Sequence, residues 1–433
     1  MFKHLLIQNP KRENRPSKGR ATWYPYYAGF SFDFAHSLIA STEFKTNACI
    51  VDPWNGSGTT TAAAVLLGYC TQGFDLNPVM VIAAKARMLN KREKSSLWPI
   101  AADIINKARH GEFRERVDDE DPLTVWFVPN STAYIREIEK TIQLLLVDTR
   151  YQLLAYRDSI NFLSDIAAFF YLALFRAIRK ILKKFFVTNP TWIKKPTMNS
   201  ARLRTKHETL LQYFEVEVKT MIAALDDILI DGSNHASQTS IKVASSDALP
   251  LKDKSANMVL TSPPYCTRID YAVATMSELA ILGYVAEEGF QDLRRKLIGS
   301  ATVPAVNPSQ LKEWGPTCNA FLNKMLRHNS KASKSYYYKN HAQYFNAIFK
   351  SIGELHRSLA DKGLCVIVVQ DSFYKDVHND LPRVFIEMAS AYGLELGRRE
   401  DFSMMRTMAG INPAVRKYRK DVSATESVLC FKK

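Results

Sequence analysis

The chain has 433 residues, 46% hydrophobic and 23% charged, which excludes a disordered chain, a collagen-like fibre and a long coiled coil. At ~100–200 residues per domain it allows two or three domains, or one core with large insertions. Lys and Arg number 58 against 43 Asp and Glu, and the resulting +15 favours a polyanionic partner, nucleic acid or an anionic membrane surface.

Residues 1–22 form a polar, basic arm with no apolar run, so no signal peptide is expected. A helix is predicted over 34–46. The short β-branched run Ala48 to Val51 reads as a strand and stops at Asp52-Pro53-Trp54-Asn55-Gly56-Ser57-Gly58. Thr59 to Gly68 reads as a helix closed by its glycine, and Tyr69 to Phe74 as a second strand ending at Asp75. Strand, glycine loop, helix, strand and acid make a βαβ unit, so the fold class is α/β, a doubly wound Rossmann-like sheet.

Residues 91–240 break that rhythm with helical periodicity at 133–147, 159–186 and 203–230, and read as a mainly helical insertion. Its most apolar stretch, Ile160 to Phe175, contains Asp165 and is shorter than the ~20 residues of a membrane span. Arg176, Arg179, Lys180, Lys183 and Lys184 follow, suggesting a basic amphipathic helix on a core or at a nucleic-acid surface. Strands return at Lys242 to Ala244 and Met258 to Leu260, the latter running into Thr261-Ser262-Pro263-Pro264-Tyr265. Residues 285–341 read as a basic, Tyr-rich insertion; 290–341 hold nine Lys and Arg and two Asp and Glu. A helix (342–360), a strand (Leu364 to Val369), a helix (381–392) and a last strand (Ser427 to Phe431) follow. The expected organisation is an arm (1–22), a first half-core (23–90), the helical insertion (91–240), a catalytic part of the core (241–284), the basic insertion (285–341) and a second half-core (342–433).

Six cysteines, at 49, 70, 266, 318, 365 and 430, include no C-x-x-C pair and read as reduced thiols of an intracellular protein. No metal-ligand cluster is written in the spacing, and no metal is expected.

The loop D-P-W-N-G-S-G-T-T lacks both the G-x-G-x-x-G and the G-x-x-x-x-G-K-[ST] patterns, which disfavours a dinucleotide and ATP hydrolysis. An acid before the loop (Asp52) can hold an ammonium, an acid ending the next strand (Asp75) can accept from ribose hydroxyls, and Asp247 can accept from an adenine amine. An amino acid joined to an adenosine satisfies all three, which points to S-adenosylmethionine. At the second motif, consecutive prolines stiffen the backbone and supply no N–H. The Ser262 hydroxyl and Pro263 carbonyl are then able to accept the two hydrogens of an exocyclic amine, and Tyr265 offers a face to a flipped base.

Together these residues resemble the amino-methyltransferases that modify exocyclic nitrogens of DNA bases. Asp52 to Thr60 is similar to that family's cofactor loop, D-P-F-x-G-S-G-T-T, with Trp54 in place of the usual Phe. Gly73 to Pro78 resembles the segment with the ribose-binding acid, Ser246 to Pro250 the segment near adenine, and Thr261 to Tyr265 the catalytic tetrapeptide in its S-P-P-Y form; Arg268 to Tyr271 is also similar. Tyr24 to Ser31 corresponds to a motif closing over the methionine end of the cofactor. The resemblance covers 24–90 and 240–280 well, 342–433 loosely and the insertions not at all.

The resemblance implies catalytic roles for Ser262, Pro263, Pro264 and Tyr265. It implies cofactor contacts from Tyr27, Phe30, Asp52, Pro53, Trp54, Gly56, Gly58, Thr59, Thr60, Asp75, Asn77, Asp247 and Ala248. The implied reaction converts S-adenosylmethionine to S-adenosylhomocysteine on double-stranded DNA, without a metal or a membrane. The S-P-P-Y form favours cytosine N4 over adenine N6. The alternatives are an RNA guanine-N2 methyltransferase and a catalytically silent nucleic-acid-binding subunit. The family's setting implies a cytoplasmic protein of a bacterium, archaeon or phage, in restriction–modification beside a cognate endonuclease or as a solitary modifier. Nucleic-acid contacts are expected from Arg268, Arg294, Arg295, Lys296, Lys331, Lys334, Tyr337 and Lys339, and from Arg179, Lys183 and Lys194 in the helical insertion.

Overall fold

A computed structural model of the chain describes residues 2–11, 19–25, 29–45, 47–148, 157–187, 192–226, 239–266, 269–284, 286–300, 302, 309–404 and 424–433. Its centre is a seven-stranded sheet built from β1 (Cys49–Asp52), β2 (Cys70–Asp75), β3 (Thr239–Val243), β4 (Ala256–Thr261), β5 (Leu359–Gln370), β8 (Glu395–Met404) and β9 (Ala424–Lys432). The strand order is β3-β2-β1-β4-β5-β9-β8. The first five are mutually parallel, and β9 lies antiparallel to both β5 and β8. A small hairpin, β6 (Ser372–Tyr374) with β7 (Val377–Asn379), follows β5. This is the Rossmann-like α/β sheet that the strand, glycine loop and helix pattern predicts.

Period-two alternation sets the two faces of the sheet. Ile50, Met258, Leu260, Val366 and Val428 pack beneath α1 (Phe32–Ala40) and α2 (Thr59–Leu66) with Phe34, Leu38 and Ala63. Their neighbours Val51, Val259, Ile367 and Leu429 face the other way, into a core with Phe345, Ile348 and Phe385.

The helices after β2 are α3 (Pro78–Arg87), α4 (Lys94–His110), α5 (Pro129–Leu146), α6 (Arg157–Asn161), α7 (Asp165–Ile181) and α8 (His207–Ala223). They form one hydrophobic cluster centred on α7, whose residues 167–175 are buried all round. The apolar run that stops short of a membrane span is therefore the axis of this bundle. No described helix is long and apolar enough to cross a membrane. Within the bundle the Lys85 ammonium on α3 donates to the Asn161 and Leu163 carbonyls at 2.8 Å each, and the Asn161 side-chain oxygen accepts from the Val243 N–H of β3 at 2.6 Å, which ties the bundle to the sheet.

After β4 come α9 (Tyr271–Ala274), α10 (Met276–Ile281), α11 (Ala286–Lys296) and α12 (Gly315–Arg327), then α13 (Tyr338–Ser358) before β5 and α14 (Leu381–Ala391) after it. The stretch read as a basic, Tyr-rich insertion thus carries α11 and α12 whole, and α13 begins within it. Cys318, Phe321, Leu322 and Met325, at i, i+3, i+4 and i+7, are the buried face of α12.

Candidate active site

Open parallel sheets place ligands at the carboxyl ends of their strands, and the two sequence motifs end β1 and β4, which are neighbours. Gly56 and Gly58 have φ of +49° and +85°, the left-handed region that a side chain resists. A Cβ on Gly58 would also lie 3.0 Å from that of Ala84. The loop closes tightly, with the Asn55 N–H donating to the Phe74 carbonyl and the Gly58 N–H to the Asn55 carbonyl, both at 2.8 Å.

Asp52 does not face the cavity described below. It is 3% exposed and accepts from the Thr60 hydroxyl (2.6 Å), the Thr261 hydroxyl (2.5 Å) and the Trp54 N–H (3.1 Å). Burial pushes its pKa up to about 6 against the lowering effect of those donors. It clamps the two motifs together. Asp75 accepts from the Gly56 N–H (3.0 Å) and the Asn77 N–H (2.8 Å). Its pKa is raised to about 7, chiefly by burial and also by the charge of Asp52, against the lowering effect of the two N–H donors.

Between the motifs lies a cavity of roughly 1010 Å³, counted with its open mouth. Pro53, Trp54, Asp75 and Asn77 line one part of it, Ser262, Pro263, Pro264 and Tyr265 another. Ala244, Ser245 and Ser246 reach it from the end of β3, whereas Asp247 and Ala248 are exposed just beyond its lining. The Ser245 hydroxyl donates to the Asp247 carboxylate. Thr60 is buried in the Asp52 clamp, Thr59 starts α2, and Phe30 is in the core against Phe34. Tyr27 and Arg268 lie outside the described residues.

The turn Ser262 to Tyr265 is held from both flanks. The Tyr344 hydroxyl, from α13, donates to the Pro264 carbonyl at 3.1 Å, and the Tyr265 N–H donates to the Tyr271 hydroxyl at 3.3 Å. The Tyr271 carbonyl in turn accepts from the Asn77 amide (3.5 Å), linking the two parts of the cavity. Gly299, at φ +81°, sits so close that a Cβ there would lie 2.5 Å from the Tyr265 carbonyl oxygen. Tyr344 and Gly299 have no local sequence signal; contact with the turn is what identifies them.

The basic residues divide into two groups. Arg179 lines the cavity and donates to the Glu278 carboxylate at 2.7 Å, where Tyr24 donates at 2.8 Å. Its guanidinium lies over the Tyr24 and Phe186 rings. Burial, then the Glu278 charge, push the Tyr24 phenol upward. Arg176 joins Glu217 (2.6 Å) to the Trp23 carbonyl (2.7 Å), and Lys180 also pairs with Glu217. Arg176 and Arg179 thus tie the bundle to the segment before α1 and to α10, whereas Lys180 pairs within the bundle and stays exposed. Arg294 is paired with Asp270 at 2.7 Å, and Lys296, beside the cavity, with Asp292 at 2.6 Å. Arg295, Lys331, Lys334, Lys183 and Lys194 are exposed, and Lys339 and Tyr337 half-buried. Among the described residues no three or more His, Cys, Asp or Glu side chains are grouped to hold a metal ion.

No family model matches the chain. It is similar to the Type II methyltransferase M.BsoBI of Geobacillus stearothermophilus, 28% identical over 307 residues, which cover 67% of this chain and 57% of the relative. It is also similar to the Type II methyltransferase M.AvaI of Nostoc sp. and of Anabaena variabilis, each 23% identical over 324 residues, 69% of this chain and 61% of the relative. The chain thus spans about three fifths of the length of these relatives. The fold is a Rossmann-like α/β sheet consistent with a methyltransferase, and these relatives are Type II methyltransferases.

Proposed function

We propose that the protein is a site-specific DNA methyltransferase that uses S-adenosylmethionine to methylate an exocyclic base amine, cytosine N4 in preference to adenine N6, within restriction–modification. The observation that carries this reading is the single cavity lined both by the glycine-loop strand ends and by Ser262 to Tyr265. The residues fit the cofactor: a loop whose left-handed glycines admit close approach, an aromatic at Trp54, and a carboxylate at Asp75 held by two N–H donors and still facing the cavity. Trp54 would cover the cofactor, Asp75 would accept from its ribose, and Ser245 and Ser246 would border its base. Bound there, the cofactor supplies a methyl group activated by a sulfonium.

On the other side, the Ser262 hydroxyl and Pro263 carbonyl accept the amine hydrogens, and Tyr265 stacks on the base. A base reaches such a cavity only when extruded from the duplex, at a cost of a few kcal/mol. Lys331 and Lys334, on the stretch leading into α13, Lys339 in its first turn, and Arg295 and Lys296, at the end of α11, are the phosphate contacts of this reading. The preference for cytosine is supported by the S-P-P-Y form, and the restriction–modification setting by the relatives.

The test is transfer of labelled methyl groups to DNA and, separately, to RNA, followed by nucleoside mass spectrometry. N4-methylcytosine in DNA, lost in Ser262→Ala, supports the proposal. N6-methyladenine corrects the base, label in RNA alone overturns the substrate, and failure to bind S-adenosylmethionine overturns the class.

A further inference from the structure

Four consecutive residues form the catalytic turn, and their polar groups are not treated alike. The Pro264 carbonyl is held by the Tyr344 hydroxyl, the Tyr265 N–H by the Tyr271 oxygen, and the Tyr265 carbonyl abuts Gly299. Among the described residues, no donor reaches the Ser262 hydroxyl or the Pro263 carbonyl. Tyr344 is 3% exposed. Its phenol could meet any acceptor in that core, yet it is directed at the backbone of the turn.

We infer that Tyr271 and Tyr344 are positioning residues for methyl transfer. They fix the second half of the turn so that the Ser262 hydroxyl and Pro263 carbonyl remain together as the two acceptors for the base amine. This rests on the methyl-transfer reading above, gives a role to Tyr271 in the segment that follows the tetrapeptide, and adds Tyr344, which no motif contains. Two acceptors converging on one nitrogen need orientation within a fraction of an ångström, and a turn without N–H groups at two of its four residues cannot supply that from its own hydrogen bonds. The two phenols come from opposite directions: Tyr271 from α9, six residues after the turn, and Tyr344 from α13, eighty residues after Pro264. Because the Tyr271 backbone also accepts from Asn77, its ring is fixed relative to the Asp75 part of the cavity as well.

The experiment uses the full chain with Tyr271→Phe, Tyr344→Phe and the double variant. Phenylalanine keeps the ring and its packing and removes only the hydroxyl. Steady-state methyl transfer is read as kcat and KM separately, cofactor binding by calorimetry, and the temperature of unfolding by scanning calorimetry, with all kinetics run below the lowest transition. The expected result is a fall in kcat of about tenfold for each single variant, with DNA KM and cofactor Kd within twofold of the unchanged chain. Unchanged kcat in both single variants, with or without a lower unfolding temperature, shows a merely structural role and overturns the inference. So does a change confined to KM or to cofactor Kd. If one variant does not fold, the other decides. Absence of methyl transfer by the unchanged chain is a separate outcome, which removes the reading of function on which the inference stands.

Discussion

The Thr261 hydroxyl donates to the Asp52 carboxylate at 2.5 Å, joining the last residue of the strand that feeds the Ser262 to Tyr265 turn to the last residue of the strand that feeds the glycine loop. The contact is buried, and it sets the spacing between the two motifs more directly than any surface feature does. A hydrogen bond to a charged group contributes about 1.5–3 kcal/mol. Thr261→Val keeps the shape and removes the donor, so it is expected to lower unfolding free energy by roughly that amount and to reduce kcat together with stability. Denaturant titration beside methyl-transfer kinetics measures both.

The pH dependence of cofactor binding follows from Asp75. Its folded pKa is raised to about 7 from 3.8, chiefly by burial. The ionised form is therefore disfavoured in the folded chain, and the contribution of Asp75 to stability declines as pH rises between those two values. Ligand hydroxyls are better accepted by the carboxylate than by the acid. S-adenosylmethionine affinity is expected to rise from pH 6 to pH 8 and to flatten above, with Asp75→Asn weak and flat throughout. Calorimetry at several pH values would show the opposite trend, or none, if Asp75 does not face the ligand.

Gly73 is a second test of the loop. A Cβ there would lie 2.4 Å from the Asn55 amide nitrogen, which leaves Asn55 no room where it now sits. Asn55 bridges the glycine loop to the end of β2 through its backbone. Gly73→Ala is expected to weaken cofactor binding tenfold or more while the chain stays folded by circular dichroism.

Glu278 has a fully buried side chain and takes its positive charge from Arg179. Removing one partner of a buried pair costs about 3–5 kcal/mol. Arg179→Ala is therefore expected to destabilise strongly, and Arg179→Ala with Glu278→Gln to recover part of the loss. A double-mutant cycle by chemical denaturation measures the coupling.

For the proposed DNA face, Lys331→Ala, Lys334→Ala and Lys339→Ala are expected to weaken binding to any sequence and to lower the slope of log K against log salt by about 0.9 for each phosphate no longer neutralised. Fluorescence anisotropy from 50 to 200 mM salt reads this. A slope unchanged in the triple variant places the DNA elsewhere.

Much of the architecture was legible in the sequence. The central strands are short β-branched runs, and the site motifs sit directly at their ends, where an open sheet needs them. The edge strand β8 was not legible: its Arg398 and Arg399 pair with Glu400 and Asp401 within the strand, so it reads as a charged loop. The second helix of the basic insertion has the spacing of a helix in Cys318, Phe321, Leu322 and Met325, masked by the Gly and Pro that begin it. At the site, Asp52 and Asp75 were recognisable as important, but not that one faces inward and the other toward the cavity. That difference comes from Thr261, 209 residues away, and no local pattern carries it. The supports from Tyr344 and Gly299 were hidden for the same reason. The first part of the basic run after Phe175 reads as surface because the acidic partners of Arg176, Arg179 and Lys180, Glu217 and Glu278, lie on other helices.

The separation of Asp52 from Thr261 also has a meaning in time. At ~5–20 residues per second, a ribosome takes roughly 10–40 s to add the 209 residues between them. A growing chain therefore carries its glycine loop well before its acceptor turn exists, and the whole helical bundle is made in the interval. By the time β4 can slide in beside β1, the platform on which it must land has already been laid down.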